Sequence, residues 1–491
     1  MALSDRTVPA PSAPRRWRGL LVLLGVLGLL GYGWWRSGVG VAILQQSVQP
    51  KVSPLPQDPL IQVYFNQSQA ATYKEPYRGI ERLGDDLEAI VVEAIAQAQR
   101  SIDVAVQELR LPKVAHALAE RHRAGVTVRV IIEDSYNRIP GQQQGRMAAE
   151  DEREQTRSEE FLALADRDRN QQLSPQELAQ HDALTILRNA GVPLIDDRAD
   201  GSQGSDLMHH KFLVIDRRFV VTGSVNLSTS EVHGDFGSSE SRGNANHLLK
   251  IDSAALATVF LTEFAQMWGD GPGKRPDSRF GLKKPYRPPQ MVRLGNGSAV
   301  MVQFSPTSTG LPWQNSVNGL ISRVLNTATQ RVDKALFVFS EQAIGDVLQQ
   351  RQRQGVKIRT LIEPSFAYRS YSEGLDMLGV QLPDQRCRFE PGNAPWRRSL
   401  STVGIPQLPE GDLLHHKFAI VDGKTVITGS QNWSAAANHQ NDETLLVIFN
   451  PTVAAHFERE FERLYETAEL GVPAWLQQKI QQEKERCRLN R

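Results

Sequence analysis

The run His209-His210-Lys211-Phe212-Leu213-Val214-Ile215-Asp216 is followed after six residues by Gly223-Ser224-Val225-Asn226. The arrangement returns as His415-His416-Lys417-Phe418-Ala419-Ile420-Val421-Asp422, then Gly429-Ser430-Gln431-Asn432. All six polar or glycine positions recur at identical spacing, and at average residue usage a single such match has a chance on the order of one in 100,000. Two matches therefore point to a duplicated unit. Each apolar run bounded by a turn reads as strand, turn, strand, with Asp422-Gly423 a standard hairpin signal and Asp216-Arg217 a weaker one. Side chains two apart on a strand share a face, so His209 with Lys211, and His415 with Lys417, project together.

The pattern His-x-Lys, four residues, Asp, six residues, Gly-Ser-x-Asn resembles the phospholipase D superfamily, whose members carry two such motifs in one active site. The resemblance runs from about Val63 to about Tyr465. It implies an α/β fold of two pseudo-symmetric halves packed as one bilobal unit. It also implies a phosphodiester chemistry carried by His209, Lys211, Asp216, His415, Lys417 and Asp422. Asp216 and Asp422 belong to this signature, although their place at the strand ends reads as structural. His210 and His416 alternate onto the opposite face and read as packing or hydrogen-bonding residues.

A phosphodiester resists hydrolysis because anionic oxygens shield phosphorus and an alkoxide leaves poorly. One neutral imidazole can attack phosphorus to give a phosphohistidine, while a second, protonated, delivers a proton to the departing alcohol and then activates water. Imidazole suits both tasks because its pKa of about 6.5 lies near neutrality. Lys211, Lys417, Asn226 and Asn432 would bind the non-bridging oxygens, with Ser224 and Ser430 supporting the phosphate pocket. No cofactor is required by this scheme. The resemblance makes His209 the nucleophile and His415 the acid and base.

The resemblance also implies a carboxylate after each motif to orient its histidine. Glu443 fills that place in the second copy, whereas the aligned residue of the first is Asn246. An amide holds a ring without favouring imidazolium by charge, so His209 is expected to stay neutral more easily than His415.

The halves can be overlaid outside the motifs. Val63-Tyr64-Phe65-Asn66 answers Val302-Gln303-Phe304-Ser305, and Ser101-Ile102-Asp103-Val104-Ala105 answers Arg331-Val332-Asp333-Lys334-Ala335. Ala124 to Arg129 answers Gln354 to Arg359, an alternation of strand and helix. Phe260, Phe264 and Trp268 echo Phe457, Phe461 and Tyr465 at helical spacing and read as core. The expected organisation is a first half over 61–269, a basic linker over 270–298 and a second half over 299–491. The linker's charges read as a solvated connection.

Gly125 and Gly355 lie 230 residues apart but His209 and His415 only 206, so the first half carries 24 extra residues, placed within about 141–185. Asp166, Asp168, Asn170, Gln172, Ser174 and Glu177 in this insertion resemble the ligand pattern of an EF-hand calcium loop. Gln171 stands where that loop normally has Gly, in a turn that demands positive φ. Two readings stay open, a structural calcium site or a polar helical hairpin that has lost the metal.

Residues 1–18 are irregular and carry four arginines, and residues 19–35 are uncharged and apolar, at the short end of what spans a bilayer. Trp17, Tyr32, Trp34 and Trp35 fit an aromatic belt, and the arginine excess before the run predicts a cytoplasmic N-terminus with the catalytic body exported, to the periplasm or cell surface. A cleaved signal peptide ending near Ala42 is the competing reading. Residues 36–60, with four prolines, read as a linker holding the body off the membrane. Cys387 and Cys487 are too few for a disulfide framework; one disulfide or two unrelated thiols are the alternatives. With 56 basic and 55 acidic residues, net charge gives no argument for nucleic acid or an anionic surface.

Function is expected to be phospholipase D-type hydrolysis of glycerophospholipids by a membrane-anchored enzyme with no obligate protein partner. The alternatives are a nuclease of the same superfamily, a cardiolipin synthase-like phosphatidyltransferase, and a catalytically dead membrane scaffold. The last is disfavoured by two intact His-Lys pairs.

Overall fold

The computed structural model describes residues 48–138, 152–198, 204–273 and 275–488. The apolar run at 19–35 lies outside them, and among the described residues no helix is long and apolar enough to cross a membrane.

Both halves build the same mixed α/β layer. The first contributes strands β1 (Ile61–Phe65), β2 (Thr72–Lys74), β3 (Glu81–Leu83), β4 (Ser101–Val106), β5 (Thr127–Ile132), β6 (Leu194–Asp196), β7 (Lys211–Ile215), β8 (Phe219–Gly223) and β9 (His247–Asp252). The second contributes β10 (Gln290–Arg293), β11 (Ala299–Phe304), β12 (Arg331–Leu336), β13 (Lys357–Ile362), β14 (Val403–Ile405), β15 (Lys417–Val421), β16 (Thr425–Gly429), β17 (Thr444–Phe449) and β18 (Glu469–Leu470). The first sheet runs β1-β9-β8-β7-β4-β5-β6, and the second repeats that order as β11-β17-β16-β15-β12-β13-β14, with β10 and β18 added at its edges. In both, the motif hairpin pairs antiparallel with β4 or β12, and the next two strands are parallel.

The motif strands are buried on both faces, which explains their unbroken apolar runs. Phe212 and Val214 of β7 join a central core shared with Phe418, Ile420, Phe457 and Phe461 of the second half, while Leu213 and Ile215 join a core belonging to the first half. The aromatic stripe behaves as expected. Phe260 and Phe264 on the helix Ala254–Trp268, and Phe457 and Phe461 on Pro451–Tyr465, lie in the central core. Arg129 stacks over Phe264 and Arg359 over Phe461, each at 4.8 Å.

Among the described residues, parts of both expected linkers belong to the folded body instead. Asp58 Oδ1 accepts the N–H of Leu60 and Ile61, and its carboxylate takes the Asn296 and Asn450 amides, so the body begins before Ile61. In the 270–298 stretch, β10 pairs with β11 and enters the second sheet. Lys284 and Arg287, expected in solvent, turn inward onto Glu263, and Lys284 also reaches Asp442 at 2.5 Å. Their targets are fully buried carboxylates, whose charge demands cations at hand. Cys387 and Cys487 form a disulfide, tying the helix Ala474–Arg486 back to the body.

Candidate active site

Each motif hairpin turns through two residues of positive φ, Asp216 with Arg217 and Asp422 with Gly423. The aspartates use that geometry structurally. Asp216 accepts the backbone N–H groups of Gln99, Arg100 and Ser101 at 2.7–3.0 Å, and Asp422 those of Thr329, Gln330 and Arg331 at 2.8–2.9 Å. They tie the hairpin's turn to the start of β4 or β12, while the motif lysines begin the same motif strands at the other end. A catalytic role for Asp216 and Asp422 is thereby corrected to a folding role.

At the active end, the two halves hold one another. The N–H of His209 donates to the Asp442 carbonyl (2.9 Å) and that of His415 to the Ala245 carbonyl (3.1 Å). Asp442 and Ala245 donate in return to Leu207 and Leu413. Each motif histidine thus lies beside the segment that precedes β17 or β9 of the other half, and the orienting groups are exchanged. His209 Nδ1 pairs with Glu443 Oε2 at 2.7 Å, and His415 Nδ1 meets Asn246 Oδ1 at 3.0 Å. The expectation that each copy serves its own histidine is corrected by this crossing.

The expected electrostatic asymmetry fails as well. His415 has a carboxylate, Glu231, whose Oε2 lies 2.9 Å from Nδ1. Asn246 Nδ2 donates to the same oxygen (2.6 Å), and Asn226 Nδ2 to Oε1 (3.2 Å). Glu231 comes from the short helix Thr229–Val232, and the aligned residue in the second copy is Ala437. The half that lacks an acid at the strand position therefore has one on the neighbouring helix. That reciprocal exchange is the signal that was legible and missed.

Burial drives both rings down to about 4, against the opposing pull of Glu443 on His209 and of Glu231 on His415. Burial alone would raise the Glu231 carboxyl, but His415, Lys417 and Asn246 outweigh it and hold it at about 2. Burial would likewise raise Glu443, and His209, Lys211 and Ser430 outweigh it. Both acids are ionised partners. Each fixes the tautomer with Nδ1 protonated, and Nε2 of either ring makes no hydrogen bond to a described residue.

Lys211 Nζ donates to Gln107 Oε1 (3.2 Å) and to the His209 carbonyl (2.9 Å). Lys417 Nζ donates to the His415 carbonyl (2.6 Å) and lies 4.7 Å from the Phe337 ring centroid. Burial lowers Lys211 to about 8, and burial together with Lys211 brings Lys417 well below its ordinary value. Two buried lysines acting on one another make a ready receptor for an anion. Ser224 Oγ donates to Asn246 and Ser430 Oγ to Glu443, both at 2.7 Å, so these hydroxyls act on the orienting groups. Asn226 is buried and Asn432 half-buried, and neither side-chain carbonyl has a partner among the described residues.

Behind the site, His210 bonds Thr444 Oγ1 (2.8 Å) and Glu263 (3.2 Å), and His416 bonds Glu460 (2.9 Å) and His247 (3.1 Å), as expected of residues on the opposite face. The buried acid cluster of Glu263 and Asp442 beside His210 is filled by the Lys284 ammonium.

The family model described as cardiolipin synthase, PLD-like domain, matches residues 91–268 and 321–465, one match over each motif. This chain belongs to the phospholipase D superfamily. The mitochondrial cardiolipin hydrolase of Mus musculus is 30% identical over 158 residues, which are 32% of this chain and 61% of that protein. The human protein of the same name is 30% identical over 159 residues, and this chain spans 54% of its length. A phospholipase D of Rickettsia bellii is 27% identical over 173 residues, 35% of this chain and 75% of that protein. The phosphatidylserine synthase of Haemophilus influenzae Rd KW20 shares the fold, at 13% identity and a TM-score of 0.50, with 89% of this chain and 95% of that one covered.

The calcium-like loop of the insertion supplies none of the side chains described above. The helices Glu152–Ala165 and Pro175–His181 flank a loop in which oxygens of Asp166, Asp168 and Glu177 lie within 4.8 Å of one another. Gln171 adopts the anticipated positive φ of 63°. Asn170 N–H donates to Asp166 and Asp168, Gln172 N–H to Asn170 Oδ1, and Ser174 caps the second helix in a reciprocal box with Glu177.

Proposed function

We propose that this protein is a phosphodiesterase that cleaves glycerophospholipids through a phosphohistidine. The observation that carries the reading is the crossed pair of buried imidazoles, each with Nδ1 on a carboxylate of the other half's sequence and Nε2 open, flanked by two buried lysines. His209 Nε2 attacks phosphorus as the bond to the leaving alcohol breaks, and His415 Nε2 gives that oxygen its proton. Water then attacks the phosphohistidine and loses a proton to His415, and the electron pair of the P–N bond returns to His209. Lys211 and Lys417 neutralise the charge that grows on the equatorial oxygens. Each step is assigned to a side chain of the chain itself.

A lipid substrate is supported by the names of the sequence relatives and by the apolar run at 19–35, which would hold the body at a membrane. An exported body is supported by the arginine excess before that run and by the disulfide, a bond that persists in oxidising compartments. The test is to assay the full chain in mixed micelles on phospholipids and, in parallel, on single-stranded and duplex DNA, with His209→Ala as control. Lipid turnover lost in the variant is expected. Turnover of DNA alone makes the protein a nuclease, and conversion of an added primary alcohol into a phosphatidyl ester in place of hydrolysis makes it a transferase.

A further inference from the structure

The pseudo-twofold relation allows the two walls of the site to be compared position by position. Gln107 follows β4 and Phe337 follows β12, and each donates its N–H to the second histidine of the adjoining motif, at 2.9 Å to His210 and 2.8 Å to His416. Their side chains therefore occupy equivalent places. Gln107 presents an amide to Lys211, whereas Phe337 packs edge to face on the His415 ring at 5.0 Å. The next pair is Glu108 against Val338. After β5 and β13 the pairs are Asp134 against Pro364 and Tyr136 against Phe366, and the Phe366 ring lies 4.9 Å from Phe337. At these positions the first half carries an amide, two carboxylates and a phenol, and the second half two phenylalanines, a valine and a proline. The buried Glu363 carboxylate beside them accepts the Leu414 N–H, and both phenylalanines keep part of their surface open.

In-line displacement puts the leaving alcohol on the side of the group that protonates it, which in the proposed scheme is His415. That alcohol would then approach the ring on which Phe337 packs, with Phe366 next to Phe337. A small polar alcohol would lose hydration there and cover little apolar surface, while one bearing an acyl chain would gain in proportion to the apolar area it covers. A quaternary ammonium head is disfavoured, because the Lys417 ammonium already stands 4.7 Å from the Phe337 centroid.

We infer that Phe337, backed by Phe366, selects a leaving alcohol that is itself acylated, so that the favoured substrate carries acyl-bearing glycerol on both sides of its phosphodiester. This deepens the proposed lipid activity and rests on it. The probes are phosphatidylglycerol and its headgroup-acylated form in the same detergent micelles, which share one phosphate charge and differ in the acyl chain on the leaving alcohol. The wild-type full chain is expected to favour the acylated lipid in kcat/KM by about tenfold or more, the range a hydrophobic pocket can deliver. Phe337→Gln, which installs the first half's residue, and the milder Phe366→Ser should each bring the ratio towards one, mainly by raising KM for the acylated lipid, in proteins that melt like wild type. A wild-type ratio near one, or a preference that survives both substitutions, overturns the inference and leaves the lipid activity standing. Turnover of DNA with neither lipid cleaved removes the lipid reading and the inference together.

Discussion

In the second half the acid just before the strand after the hairpin is Glu443 and the aligned helix residue is Ala437; in the first half these are Asn246 and Glu231. The two carboxylates approach from different elements yet reach equivalent atoms, Nδ1 of His209 at 2.7 Å and Nδ1 of His415 at 2.9 Å. What duplication preserved is the charge beside each ring, and the residue number that supplies it was free to move. The exchange also leaves the first half with an extra amide, Asn246, which touches the ring and the displaced acid together.

The largest test of this comparison asks whether the two rings do different chemistry. His415→Asn should lower turnover of lipids by roughly a thousandfold or more, within the range expected for loss of acid–base catalysis. On a substrate with a good leaving group it should let an acid-labile phosphoenzyme build up, with the label on His209. A label on His415 in a His209 variant would reverse the roles.

Next in size, Glu443→Gln and Glu231→Gln should each reduce kcat by about a hundredfold, through loss of the charge that stabilises an imidazolium. Placing Asn246→Glu together with Glu231→Ala rebuilds the second half's arrangement in the first. Most of the activity lost in Glu231→Ala should return; no recovery would mean that Glu231 acts by some route other than charge at Nδ1.

Lys284 probes a contrast behind the rings. Glu263 and Asp442 share Lys284 from the connecting segment, whereas the equivalent Glu460 pairs with Arg463 on its own helix. Lys284→Met should cost about 3–5 kcal/mol in urea unfolding, because two buried carboxylates lose a cation. Arg463→Met, on a partly exposed pair, should cost less.

The pH profile sharpens the comparison further. Attack requires neutral His209 and leaving-group protonation requires charged His415, so kcat/KM should be bell-shaped with limbs owned by the coupled pair. Both rings sit at about 4, so the optimum should fall on the acid side of 6.5. Glu443 raises His209 and Glu231 raises His415, so removing either charge lowers its ring. Glu443→Gln should therefore move chiefly the acid limb, and Glu231→Gln chiefly the alkaline limb, each towards lower pH. Identical profiles for the two variants would argue against distinct roles.

The smallest effect concerns the insertion that only the first half carries. Calcium should raise the melting temperature by a degree or more at millimolar concentration, as RT ln(1 + [L]/Kd) requires of a weak ligand for the folded state. Asp166→Ala should abolish the rise and Gln171→Gly enlarge it by removing a strained φ, while chelation leaves turnover intact. No shift in either the wild type or Gln171→Gly would identify the loop as a metal-free hairpin.

Much of this molecule was determined by its sequence alone. The duplicated hairpins, the alternation of strand and helix, and the core stripe at Phe260 and Phe457 all follow from local periodicity and spacing, which act along a few residues. Tertiary structure decided what depends on two segments meeting. Glu443 serves His209 across 234 residues, Glu231 serves His415 across the boundary between halves, and Lys284 is buried only because Glu263 and Asp442 converge on it. A charged residue's sequence neighbours do not reveal whether its partner is water or a carboxylate from the other half. The energy of burial separates those outcomes, and burial is a property of the assembled pair of sheets.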